Sequence, residues 1–151
     1  MSTGSGLWDR LRAMVSRRRA PLDRERTDLV VVVSSFDDAE ACSTALTRGA
    51  ESEPYWTESD EAVLRHHLTL PPDAVDRAVE LAAQDGYTVS GAPMEAPVAG
   101  DASLTALVLQ RTQVLDAMHC AQEKSRMVSL AQRLGGTALG WDALQPPASP
   151  D

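Results

Sequence analysis

Residues 64–89 read LRHHLTLPPDAVDRAVELAAQDGYTV, and their order predicts a strand, a helix and a second strand. Side chains on a strand alternate between its faces. Over 62–70, Leu64, His66, Leu68 and Leu70 therefore share one row, and Val63, Arg65, His67 and Thr69 share the other. Pro71 and Pro72 preset φ for a helix start, where a missing N–H costs nothing, and Asp73 sets a negative charge against the helix dipole. Val75, Ala78, Val79 and Ala82 recur at helical spacing, and Gly86 stops the helix. Tyr87 and Val89 open the next strand.

The adjacent histidines invite a metal or catalytic reading, and strand alternation argues against it. Neighbours on a strand diverge, so His66 and His67 do not converge on one ion. His66 is expected in the core or a subunit interface with a hydrogen-bond partner, and His67 on a polar surface.

Downstream, GAPMEAPVAGDAS (91–103) reads as a loop or hairpin connection, LTALVLQ (104–110) as a strand and TQVLDAMHCAQEKSRMVSLAQRL (112–134) as a long helix. A glycine pair stops that helix before the strand TALGWDAL (137–144). Two β-α-β units in succession give the order of the ferredoxin-like fold, an α+β sandwich over 61–145 with both helices on one sheet face. The other face is expected to be covered by the 29–48 segment, by a second copy or by a partner.

Upstream, DLVVVVSSF (28–36) is β-branched and reads as a strand. Ser35 or Asp37 is placed to cap a following helix with Cys42, Ala45 and Leu46 on its apolar side and Gly49 at its end. This makes an extra N-terminal strand–helix at 29–48. AESEPYWTES (50–59) reads as a loop. Ahead of all this, LWDRLRAMVSRRR (7–19) patterns as a basic amphipathic helix with Trp8 and Leu11 on its apolar side and Arg17, Arg18 and Arg19 at its end. The organisation expected is an arm and linker (1–27), one domain (28–145) and a flexible tail (146–151).

Charge divides along the same line. Residues 1–27 hold seven Arg against three acids, and the remainder seven Lys/Arg against nineteen acids, within a total net charge of −8. So acidic a body repels phosphates, which disfavours nucleic-acid binding by the folded domain. The arm suits an anionic membrane or an acidic partner. Cys42 and Cys120 are too few for a disulfide framework, and the apolar run 29–33 is too short to span a bilayer. No apolar stretch of the kind a secretory signal needs follows the basic N-terminus, so a cytoplasmic location is expected.

No Gly-rich phosphate loop, CxxC pair, HExxH motif or nucleophile elbow is present, so no enzymatic activity, cofactor or metal is expected. His119-Cys120 lies on the long helix, where neighbours point about 100° apart. Cys120 reads as a small hydrophobe. On that helix Val114, Met118, Ala121 and Val128 are read as the inward stripe. Asp116, His119, Glu123 and Arg126 recur at spacings of three and four on the opposite face, as ion pairs in solvent or as a partner-binding surface.

Residues 61–145 resemble the family called regulator of ribonuclease E activity B (RraB). The resemblance rests on HHL before a helix start (66–73), on A-x-E-L-A-A-Q-D-G-Y-T-V (78–89), and on a long helix followed by a strand with GW (140–141). The strand at 29–35 and the basic arm lie outside it. The resemblance implies a ferredoxin-like fold and a cytoplasmic, non-enzymatic regulator that binds a ribonuclease E/G-type endoribonuclease and alters its RNA metabolism. Two other readings stand beside it: a peripheral membrane adaptor held by Trp8, Leu11 and Arg17 to Arg19, and a small-ligand-binding regulatory domain. A homodimer through the open sheet face fits any of the three.

Overall fold

The computed structural model describes residues 22–91, 94–96 and 103–147, with the backbone alone for 94–96. The amphipathic stretch 7–19, with Trp8, Leu11, Arg17, Arg18 and Arg19, lies outside the described residues, as do 148–151. The elements are β1 (Val30–Ser35), α1 (Cys42–Glu51), β2 (Glu61–Leu70), a 3-10 turn (Pro72–Ala74) leading into α2 (Val75–Ala83), β3 (Thr88–Val89), β4 (Met94–Ala96), β5 (Leu104–Val114), α3 (Ala117–Arg133) and β6 (Thr137–Gln145). All pairings are antiparallel. The strands lie in the order β1-β6-β2-β5-β3, with β4 also paired to β5. The protein is a mixed α+β structure.

β2 holds the centre because its alternation supplies a continuous apolar row. Ala62, Leu64, Leu68 and Leu70 are buried on one face, with His66 among them at 2% exposure. Two apolar clusters form along this row. Ala62 and Leu64 pack with Cys42, Ala45 and Leu46 of α1, with Cys120 of α3, and with Trp141 and Ala143 of β6. Leu68 and Leu70 pack with Val75, Ala78 and Ala82 of α2, with Met127, Leu130 and Ala131 of α3, and with Leu107 and Leu109 of β5. Burying each such leucine contributes about 2 kcal/mol. All three helices therefore sit on the same face of the sheet.

The double proline opens the 3-10 turn, with Asp73 in its first turn. The chain leaves α2 through Gly86 at φ 85°, a left-handed backbone that a side chain would strain. Five expectations need correction. The 29–48 segment does not cover the second sheet face: β1 extends the sheet beside β6, and α1 adds to the helical layer. Neither Ser35 nor Asp37 caps α1, whose N-cap is Ala41 with no side-chain bond. Gly49 does not end α1 but lies inside it, where an added Cβ would stand 2.9 Å from that of Val33. β5 runs to Val114 and α3 starts only at Ala117, with Asp116 as its N-cap. Val114 thus drops out of the expected inward stripe, and a different side of α3 packs on the sheet. Met118 is 62% exposed and Ala121 is exposed, whereas Cys120, Glu123, Met127, Leu130 and Ala131 turn inward.

Candidate functional site

Strand alternation puts Glu61, Val63, Arg65, His67 and Thr69 on the face away from the helices. The register sets three rows across that face. Val31, Leu144, Val63 and Thr112 form one, and Ser34, Asp142, Arg65, Gln110 and Thr88 the next. Gly140, His67 and Val108 form the third. Among the described residues no helix lies over these rows. Even so, Val63 is 2% exposed, and the buried Thr112 hydroxyl has no hydrogen-bond partner among them.

The middle row carries the charge. Arg65 donates from Nε to Asp142 Oδ1 and from Nη2 to Oδ2, both at 2.7 Å. The His67 ring nitrogen Nε2 lies 3.1 Å from the same Oδ2. Burial pushes the Asp142 carboxyl up, but the hydrogen bonds from His67 and Arg65 outweigh it and hold it below its ordinary value. The fork-on-carboxylate geometry fixes the two side chains against each other on that face. The 56%-exposed Phe36 ring stands 5.2 Å from the His67 ring, centroid to centroid. Gly140 admits it, since a Cβ there would collide with Phe36 and lie 2.6 Å from the Ser35 carbonyl oxygen. The GW pair thus has two jobs: Gly140 lets Phe36 reach the open face, and Trp141 fills the core opposite.

On α3 the four expected surface residues form two pairs at a spacing of three, Asp116 with His119 and Glu123 with Arg126, whose Nε lies 3.5 Å from the Glu123 carboxylate. Asp116 accepts the His119 backbone N–H at 2.8 Å and lies 2.6 Å from His119 Nδ1, and both side chains are about half exposed. The bond from the His119 backbone N–H, with that from its ring, lowers the Asp116 carboxyl. Arg126 is exposed and pairs with Asp85 at 2.6 Å. Glu123 is the correction: it is 5% exposed and points inward, where it accepts the Tyr87 hydroxyl at 2.7 Å. Arg111 Nη2 approaches the same carboxylate at 3.3 Å, and its guanidinium stacks 4.7 Å from the Tyr87 ring centre. A glutamate at a helical charge spacing looks like surface, and only the position of Tyr87 after the Gly86 turn makes it core.

His66 is packed edge-on against Tyr87, with ring centroids 5.7 Å apart. Burial, with the nearby Arg111 and His67, lowers it to about 3, so it is neutral at physiological pH. The two histidines point to opposite faces, and among the described residues no cluster of His, Cys, Asp or Glu is arranged to hold a metal ion. Cys42 and Cys120 are free and buried, and burial together with the neighbouring Cys42 pushes the Cys120 thiol up, away from the reactive thiolate. The grooves beside α3 are shallow, and the Lys124 ammonium that lines them is bound to the carbonyl oxygens of Asp38 and Glu40.

The sequence places Arg65 and His67 on one polar row of β2 without marking either as a site, and it does not mark Asp142, the residue that joins them. Its signal was present: an acid directly after a core tryptophan on a strand must face the other way. Comparison with known families, curated proteins and solved structures finds no match to this chain. No helix among the described residues is long and apolar enough to cross a membrane.

Proposed function

We propose that this is a non-enzymatic, cytoplasmic protein-binding regulator whose recognition surface is the sheet face opposite the three described helices. The observation that carries the reading is the arrangement of that face: a rigid, ion-paired centre of Arg65, Asp142 and His67, flanked by apolar Val31, Leu144, Val108 and Phe36. An open face that exposes apolar side chains beside an ordered ion pair suits a protein partner better than a small molecule, whose site needs concavity. Over 61–145, the strand order β6-β2-β5-β3 with α2 and α3 on one side supports a ferredoxin-like arrangement, with β1 and α1 as additions. The resemblance of 61–145 to the RraB family makes a ribonuclease E/G-type endoribonuclease the first partner to test. The acidic body fits a basic surface on such an enzyme.

The test is binding of the full chain to a purified ribonuclease E/G-type enzyme, with Val108→Asp and His67→Glu on the face and Arg77→Glu on α2 as control. Weakening by the face variants alone supports the reading. Equal binding by all of them would move the site elsewhere, and no binding by the natural chain would remove the nuclease as partner.

A further inference from the structure

We infer that the basic amphipathic segment 7–19 docks on the open sheet face of its own chain, over the row formed by Val31, Leu144, Val63 and Thr112. Three independent observations support this occupant. The first is where the described chain begins: the Leu22 backbone N–H donates to Glu61 Oε1 at 2.8 Å, and Glu61 shares its side of β2 with Val63. Residue 22 is thus fastened at the end of the open face nearest that row. Ala20 and Pro21 leave about 10 Å between the segment and this anchor, too short to reach the helical layer behind the sheet.

The second is fit. Thirteen residues as a helix extend about 20 Å, and the four strands from β1 to β5 that carry the row span about 15 Å. The segment brings Leu7, Trp8, Leu11, Met14 and Val15 on one side. The row offers Val31, 42% exposed, and the partly exposed Leu144 around the dry Val63. The Thr112 hydroxyl is a buried polar atom on the same row with no partner among the described residues. The third is charge. Residues 1–21 hold five Arg and one Asp, and residues 28–151 hold seven Lys/Arg against nineteen acids. Attraction between the two favours the docked state, and the short tether to Leu22 favours the segment's own domain over a second, equally acidic copy. Docked there, the segment competes with any protein that uses the face. That consequence rests on the partner reading above, whereas the docking itself does not.

The experiment is hydroxyl-radical footprinting of the full chain, read by peptide mass spectrometry. Val31, 42% exposed, and the partly exposed Leu144 report on the row, and Met118, 62% exposed on α3, serves as internal reference. The natural chain is compared with Trp8→Ala/Leu11→Ser and with Arg17→Glu/Arg18→Glu/Arg19→Glu, which alter no described core residue. Docking predicts that the oxidation rates of Val31 and Leu144 relative to Met118 rise about fivefold in both variants, equivalent to about 1 kcal/mol. Equal ratios in all three chains would overturn the proposal. Nuclease binding measured on the same chains separates the two readings. Protection of Val31 and Leu144 without nuclease binding retains the docking and removes the partner. Binding through the face without protection does the reverse.

Discussion

Asp142 and Arg65 are register partners across the β6–β2 ladder, and the guanidinium grips the carboxylate through two parallel 2.7 Å hydrogen bonds. The carboxylate side chain is 7% exposed and the arginine 25%, so the pair is shielded enough to matter and open enough to be read by a partner. Breaking it strands a cation on the face. Asp142→Ala is expected to cost about 2–3 kcal/mol in urea unfolding, below the cost for a fully buried pair because Arg65 retains some water. The Asp142 carboxyl sits below its ordinary value in the fold, so its contribution is present above the unfolded value of 3.8 and lost as pH falls beneath it. A variant as stable as the natural chain would remove the ion pair as an organising element.

The buried His66 sets a second pH window. Folding lowers it from 6.5 to about 3, so the unfolded chain takes up a proton between those values and the folded one does not. Stability is complete above pH 6.5 and falls as the solution is acidified, by on the order of 4 kcal/mol at pH 3.5. His66→Leu should flatten the unfolding free energy between pH 6.5 and 4.5. An unchanged slope would assign the effect to other groups.

The Tyr87–Glu123 bond is internal, which reverses the use to which Glu123 was to be put. Glu123→Lys drives a cation into the space between α3 and Tyr87, and is expected to lower the melting temperature steeply, at a cost of roughly 3–5 kcal/mol. Tyr87→Phe removes the 2.7 Å donor to Glu123 and the longer 3.5 Å contact with His66 Nε2, and should cost about 1–2 kcal/mol. A Glu123→Lys chain that melts normally yet binds a partner differently would restore this residue to the surface.

Gly140 is crossed by Phe36 and the end of β1. Gly140→Ala places a methyl 2.6 Å from the Ser35 carbonyl oxygen, so β1 must shift and Phe36 must leave His67. The expected loss is about 2–3 kcal/mol, accompanied by faster hydrogen exchange of the β1 amides. Unaltered exchange in Val30–Ser35 would show that β1 holds its place without this contact.

Much of the architecture is carried by short-range rules and is legible in the chain. Strand alternation placed His66 and His67 on opposite faces, the prolines and Gly86 bounded α2, and the valine run formed β1. Those features follow from φ preferences, the missing N–H of proline and the two-residue repeat of a strand, all local. What the tertiary structure decided was everything that depends on phase or on partners distant in sequence. Tertiary packing chose the side of α3 that meets the sheet, with Glu123 inward and Met118 outward. Asp142 met Arg65 across 77 residues only because β6 lies beside β2. The sheet face with no described helix over it came from α1 joining the same layer as α2 and α3, since the one continuous apolar row of β2 is where each could bury its own apolar side.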